Sequence, residues 1–256
     1  MESIIGIFAP ENLLAFLTLT ALEIVLGVDN VVFIAVLSSR LPPEKQRMAR
    51  QTGLIAAMFM RLALLAMIDW VRSLTGAVFT VDIKSLEYAK AFSWRDLILI
   101  VGGLILLVKS VKEIHHASSG VHHDAQPKKV TVGGVIAQIM LMDLVFSLDS
   151  VITAVGMANH LPTMIAAVIV SVGVMMFAAG PISNFVEKRR SLKVLALSFL
   201  LLIGVMLVIE GFGQHISKGY IYFAMAFALG VELVNFRADK RAERAAAAAL
   251  AAKNRT

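Results

Sequence analysis

Seven stretches of this chain are apolar on every face: 11–38, 51–71, 96–111, 133–158, 162–186, 192–210 and 219–236. Most reach the roughly 20 residues that a helix needs to cross a bilayer core. They lack the period-two alternation of barrel strands, so the pattern predicts an all-α membrane protein with seven transmembrane helices. The third stretch is the shortest and is interrupted by Gly102-Gly103, with Ser93-Trp94 available to extend it. The first stretch is too long for a signal h-region and no basic n-region precedes it, so no cleavable signal peptide is expected.

The pattern also repeats. LEIVLGVDNVVFIAVLSSRLP (22–42) aligns without a gap on MDLVFSLDSVITAVGMANHLP (142–162), at a constant offset of 120. Glu23 meets Asp143, Asp29 meets Asp149, Asn30 meets Ser150, and Leu41-Pro42 meets Leu161-Pro162. Each half then holds three spans. Three is odd, so the second half must enter the membrane from the opposite side, which makes this a 3+3 inverted-topology repeat with a seventh helix appended. The expected organisation is a first repeat over 1–113, a linker over 114–130, a second repeat over 131–212, a seventh helix over 213–236 and a tail over 237–256. The linker carries His115, His116, His122 and His123 and reads as a solvated, flexible connection. The tail is basic and alanine-rich and is expected to continue the last helix into the cytoplasm.

Composition supports the membrane assignment: 58% of residues are hydrophobic and only 16% charged, against about a quarter charged in soluble domains. With the N-terminus outside, the inward-facing segments hold 18 of the 24 Lys and Arg residues. That bias predicts an N-outside, C-inside orientation. It also accounts for the net charge of +6 as a cationic cytoplasmic face, so no nucleic-acid partner is expected. The chain has no cysteine, which excludes disulfides, thiolate metal sites and cysteine nucleophiles. It also has no Walker A loop, dinucleotide fingerprint or nucleophile elbow, so neither an ATP-driven pump nor an enzyme is expected.

The acids inside the repeats are the candidate chemistry. A carboxylate at a helix centre costs ~2.5–3.5 kcal/mol, so four without compensation would cost on the order of 10 kcal/mol. Glu23 and Asp143 sit near the middle of their spans, while Asp29 and Asp149 lie ~9 Å further along, in opposite directions across the membrane. A six-residue step turns the second acid about 120° from the first, whereas seven residues nearly realign, so Glu23 shares a face with Asn30 and Asp143 with Ser150. Either the acids serve different sides of one cavity or the helix loosens between them, and Gly27 permits loosening in the first repeat. The expected ligand set of Glu23, Asp29, Asn30, Asp143, Asp149 and Ser150 offers hard oxygens, which suit Mn2+, Mg2+ or Ca2+ over Zn2+ or Cu+. Arg61, central in its span, is expected to pair with an acid of this site when no cation is bound. Glu210, Glu232 and Asn235 lie near span ends and are candidate gates or solvated helix ends. Lys109 and Glu113 are spaced for a local pair, and the methionines read as packing residues.

LEIVLGVDNVVFIAV, MDLVFSLDSVITAVGMA, MRLALL and GYIYFAMAFALGVELVN together resemble the TerC family of bacterial integral membrane proteins, in its short form without appended soluble domains. The resemblance implies a multi-pass inner-membrane protein of seven helices linked to metal-ion homeostasis. Several members are regarded as Mn2+ exporters, and the family name derives from tellurite resistance. The expectation is a secondary transporter moving a divalent cation, Mn2+ first, by alternating access, with protons as a natural counter-ion and no prosthetic group. The rival expectation is a membrane scaffold that serves metal or tellurite resistance, or membrane-protein assembly, without transport of its own.

Overall fold

The computed structural model describes residues 10–83, 88–119, 131–157, 160–187 and 189–253. The side chains of Val28, Asp29 and Asp149, and those at several segment ends, lie outside that description. The chain runs as α1 (Pro10–Ser38), α2 (Pro43–Ala66), a short α3 (Ile68–Ser73), β1 (Ala77–Ile83), β2 (Tyr88–Ser93), α4 (Trp94–Ser119), α5 (Val132–Met157), α6 (Leu161–Glu187), α7 (Arg190–Gly211) and α8 (Lys218–Lys253). It divides into two units, Met1–His215 and Ile216–Thr256, so α8 stands as a unit of its own.

Six of these helices are long and apolar enough to cross a membrane: α1, α2, α5, α6, α7 and the Lys218–Asp239 part of α8. The third expected span, α4, is a full-length helix but is not among the six. Asp96 and Lys109 bracket its apolar run at Leu97–Val108, which is too short by itself for a bilayer core. The second expected stretch also differs at both ends. Its helix begins at Pro43, where a missing N–H costs nothing in the first turn, and breaks at Met67 before resuming as α3.

The all-α expectation needs one correction. Residues 77–93, left without an element by the apolar pattern, hold an antiparallel pair in which Thr80 faces Ala91 and Ile83 faces Tyr88. Phe92 of β2 stacks on Phe79 at 5.3 Å and meets Phe212, just after α7, edge-on at 6.0 Å. The strand feeds directly into α4 through a reciprocal cap. The Ser93 amide donates to Asp96 Oδ2 at 2.9 Å, and the Asp96 amide donates to Ser93 Oγ at 3.2 Å.

Helix packing crosses between the two parts of the sequence. The most extensive pairings join α4 to α7, α1 to α6 and α2 to α5, each uniting a helix from 10–119 with one from 132–211. Glycines set the α4–α7 distance. A Cβ on Gly103 would lie 2.8 Å from the Gly204 carbonyl oxygen, and one on Gly211 would lie 2.8 Å from that of Asp96. Close backbone approach through small residues is how helices gain contact in lipid, where apolar side chains have no hydrophobic drive to associate.

Gly103→Val therefore forces backbone against backbone and should cost about 1–3 kcal/mol. The check is thermal unfolding of the purified protein in detergent. Gly173→Ala, whose added Cβ would meet nothing within 4 Å, should leave the midpoint unchanged. Equal midpoints for both variants would refute the close-packed glycine account.

Candidate functional site

The 3,4-spacing of the helix builds the site. On α1, Glu23, Gly27 and Asn30 follow one another along a single buried stripe, with Thr20 one turn before Glu23. The 120-residue equivalents Asp143, Ser147 and Ser150 make the same stripe on α5, also buried. Helix α1 is unbroken through Gly27. Of the two routes left open by the sequence, a loosened helix is thus not the one the structure takes.

Arg61 of α2 joins the two stripes. It is 3% exposed, beside Glu23 at 3% and Asp143 at 5%. Its Nη2 donates to Asp143 Oδ1 at 2.7 Å, and its Nε lies 3.2 Å from both oxygens of the same carboxylate. Its Nη1 donates to Glu23 Oε2. A lysine could not make this contact, because only a planar fork presents parallel N–H groups to one carboxylate and a further one to a second. Asn30 Nδ2 adds a donor to Asp143 Oδ1 at 2.9 Å, which ties the two stripes directly.

Two carboxyl groups face one guanidinium in this buried site. Donors are unevenly shared among the described residues: Asp143 takes Nε and Nη2 of Arg61 and the Asn30 amide, whereas Glu23 takes Nη1. Glu23 instead borders a cavity of about 10 Å³ walled by Leu19, Leu65, Val151, Met164 and Val168. That is roughly the room one water requires. The hydroxyls of the α5 stripe turn back on their own helix: Ser147 donates to the Asp143 carbonyl and Ser150 to that of Ser147. Thr20 Oγ1 is buried without a hydrogen-bond partner among the described residues.

Glu23, Asn30, Arg61 and Asp143 are thus brought into contact, with Ser150 on the same stripe of α5. Asp29 and Asp149 lie on α1 and α5, and the expectation for their side chains falls outside the described residues. Among the described residues, no three of His, Cys, Asp and Glu converge as a metal cluster. Glu210 belongs to another group, where it accepts from Arg95 at 2.9 Å beside the Lys90–Asp96 pair at 3.4 Å. Glu232 and Asn235 lie on α8, in the separate unit. Lys109 and Glu113 do not pair locally: Lys109 donates to Gln138 of α5 at 3.0 Å, while Glu113 takes Arg40. Cross-helix partners outcompete the i,i+4 contact because Lys109 and Glu113 are each half-buried against a neighbouring segment. His122 and His123 lie outside the described residues. The charged group around Arg95 and Lys90 escaped the sequence reading, since its members fall in an interfacial segment where charge is ordinary.

A family model for the integral membrane protein TerC family matches residues 8–247. The inner membrane protein YgdQ of Escherichia coli K12 is 50% identical over 232 residues, which cover 91% of this chain and 95% of that protein. A UPF0053 protein of Haemophilus influenzae is 50% identical over 230 residues, covering 89% of this chain and 94% of its own length. The inner membrane protein YoaE of Escherichia coli K12 is 47% identical over 228 residues, 88% of this chain but 43% of that longer protein. No solved structure matches the chain. With a family match across nearly its whole length, and six helices able to span a bilayer, this chain belongs to the TerC family and is a multi-pass inner membrane protein.

Proposed function

We propose that this chain is a secondary transporter, not an enzyme, that exports a divalent cation, Mn2+ first, by alternating access between two inverted three-helix halves. The observation that carries the reading is Arg61 held dry between Glu23 and Asp143, equivalent acids from the two halves. Buried carboxyl groups in a membrane protein are functional by default, and a site with two of them to one guanidinium favours a cation. The pairing of α1 with α6, α2 with α5 and α4 with α7 is what a two-fold exchange of the halves would produce, so it supports the inverted repeat. In this reading α4 is a span as well, giving seven, with the N-terminus outside and the C-terminus inside.

Glu23, Asp29, Asp143 and Asp149 would ligate the ion, with Asn30 and Ser150 adding neutral oxygens. The donor set fits a hard dication. Arg61 supplies the positive charge when the cation leaves, so that the acids never face each other without a counter-charge. Carboxylates can exchange metal for protons, which makes protons the natural counter-ion.

Mn2+ flux into reconstituted vesicles tests the reading. Asp29→Ala, Asp149→Ala and Asp143→Asn should each lower flux about tenfold or more. Undiminished flux in these variants would refute the acids as ligands, and no flux in the wild type would sink the transport reading and favour the scaffold.

Arg61→Leu gives a second, independent outcome. It leaves two buried carboxylates without their shared cation and should destabilise the protein by about 3–5 kcal/mol. Added Mn2+ should then raise the unfolding temperature more in the variant than in the wild type, because the dication takes over the lost charge. An equal Mn2+ response in both would refute charge replacement by Arg61.

A further inference from the structure

A sulfur atom lies against the stripe that carries Glu23 and Asn30. Met175 of α6 is buried, and it fills the space where Gly27 lacks a side chain. A Cβ built on Gly27 would run into Met175 Sδ and lie 2.9 Å from its Cε. The sulfur, and not only the terminal methyl, therefore meets α1. Gly27 is the middle position of the stripe, four residues after Glu23 and three before Asn30. Its equivalent on α5 is Ser147, whose hydroxyl is fully buried. One half places an oxygen at this level of the stripe, while the other leaves a gap that a thioether enters from α6. Ser171, one turn earlier on the same face of α6, is buried too and donates to the Val168 carbonyl at 2.9 Å.

Packing alone does not require sulfur here, since leucine fills a similar volume. Chemistry does distinguish them. Carboxylate, amide and hydroxyl oxygens suit Mg2+, Ca2+ and Mn2+ alike, whereas a thioether is a soft donor that favours transition metals. A site made only of oxygens has little besides cavity size and ligand number with which to reject Mg2+ or Ca2+.

We propose that Met175 lends its thioether sulfur to the cation as it passes Gly27, and that this soft donor selects transition-metal dications over Mg2+ and Ca2+. The inference rests on the cation-transport reading above and specifies which class of cation that site takes. Gly27 is then a positioning residue, required because any side chain there displaces the sulfur.

The test compares wild type with Met175→Leu in two arms. Calorimetric titration of purified protein with Cd2+, Mn2+, Mg2+ and Ca2+ reads binding, and vesicle flux of the same four ions reads transport. Met175→Leu should weaken Cd2+ binding about tenfold and Mn2+ binding several-fold while leaving Mg2+ unchanged. X-ray absorption of the Cd2+-loaded wild type should contain a cadmium–sulfur distance that the variant lacks. Gly27→Ala should reproduce the loss of Cd2+ preference with Met175 intact. A Met175→Leu protein with the wild-type ratio of Cd2+ to Mg2+ affinity, or a wild type without sulfur scattering, would overturn the proposal. The two failures separate cleanly. A wild type that moves no ion ends the transport reading, and the binding arm then decides the role of the sulfur by itself.

Discussion

A guanidinium cannot shed its proton, so burying Arg61 commits the fold to burying counter-charge with it. That single constraint places three helices. α2 must bring Arg61 to the depth of Glu23 on α1 and of Asp143 on α5, and the planar fork fixes their relative rotation as well as their distance. The Asn30 amide then locks the α1 and α5 stripes in register. In lipid, apolar side chains give little reason to prefer one helix rotation over another, because the tails outside are as apolar as the core. The charged cluster supplies that preference. Removing one partner leaves another buried and uncompensated, so the arrangement holds as a unit or not at all.

Around this polar centre, α4 and α7 form a different kind of pair. Their contact is made by glycine backbones and is closed at one end by ions: Lys90 reaches the Gly211 carbonyl at 2.5 Å, and Arg95 reaches Glu210. At the far end of α4, Glu113 takes Arg40 from the residues after α1, and Lys109 takes Gln138 of α5. The α4–α7 pair is joined by its backbone, which does not rearrange cheaply. Its links to Arg40 and to Gln138 of α5 run through long side chains, which do, although Val145 of α5 also packs closely on Gly102. Under the proposed transport cycle, this division marks α4 and α7 as the frame and α1, α2, α5 and α6 as the elements that shift.

Much of this was legible in the apolar pattern, because a run of about 20 apolar residues has few other uses. The 120-residue offset singles out Glu23 and Asp143 as a pair, and the central depth of Arg61 points to an acid as its partner. What the sequence hid falls into two physical kinds. Met175 looks like any core methionine, since the feature that sets it apart is the missing Cβ of Gly27 on another helix. The strands Ala77–Ile83 and Tyr88–Ser93 escape the apolar pattern because a short antiparallel pair has no long period, and its charges read as interfacial. Lys109 and Glu113 fall between these kinds. Their spacing permits a pair, but tertiary partners on α5 and beside α1 win.

The two acids, alike in sequence, are not alike in surroundings, and under the proposed cycle that difference has a consequence. Alternating access in an inverted repeat exchanges the conformations of the halves, so the environment of Asp143 in one state becomes that of Glu23 in the other. Arg61 cannot take part in that exchange. At the same offset its counterpart is Pro181 on α6, which carries no charge. The guanidinium therefore always arrives from α2, gripping one acid with two nitrogens and the other with one. The two end states then differ in energy even without a cation gradient, and a bound dication changes that difference by relieving Arg61 of its partners. A carrier whose resting preference is set by one unduplicated arginine would have a built-in direction, and the residue that sets it would stand inside the proposed ion site itself.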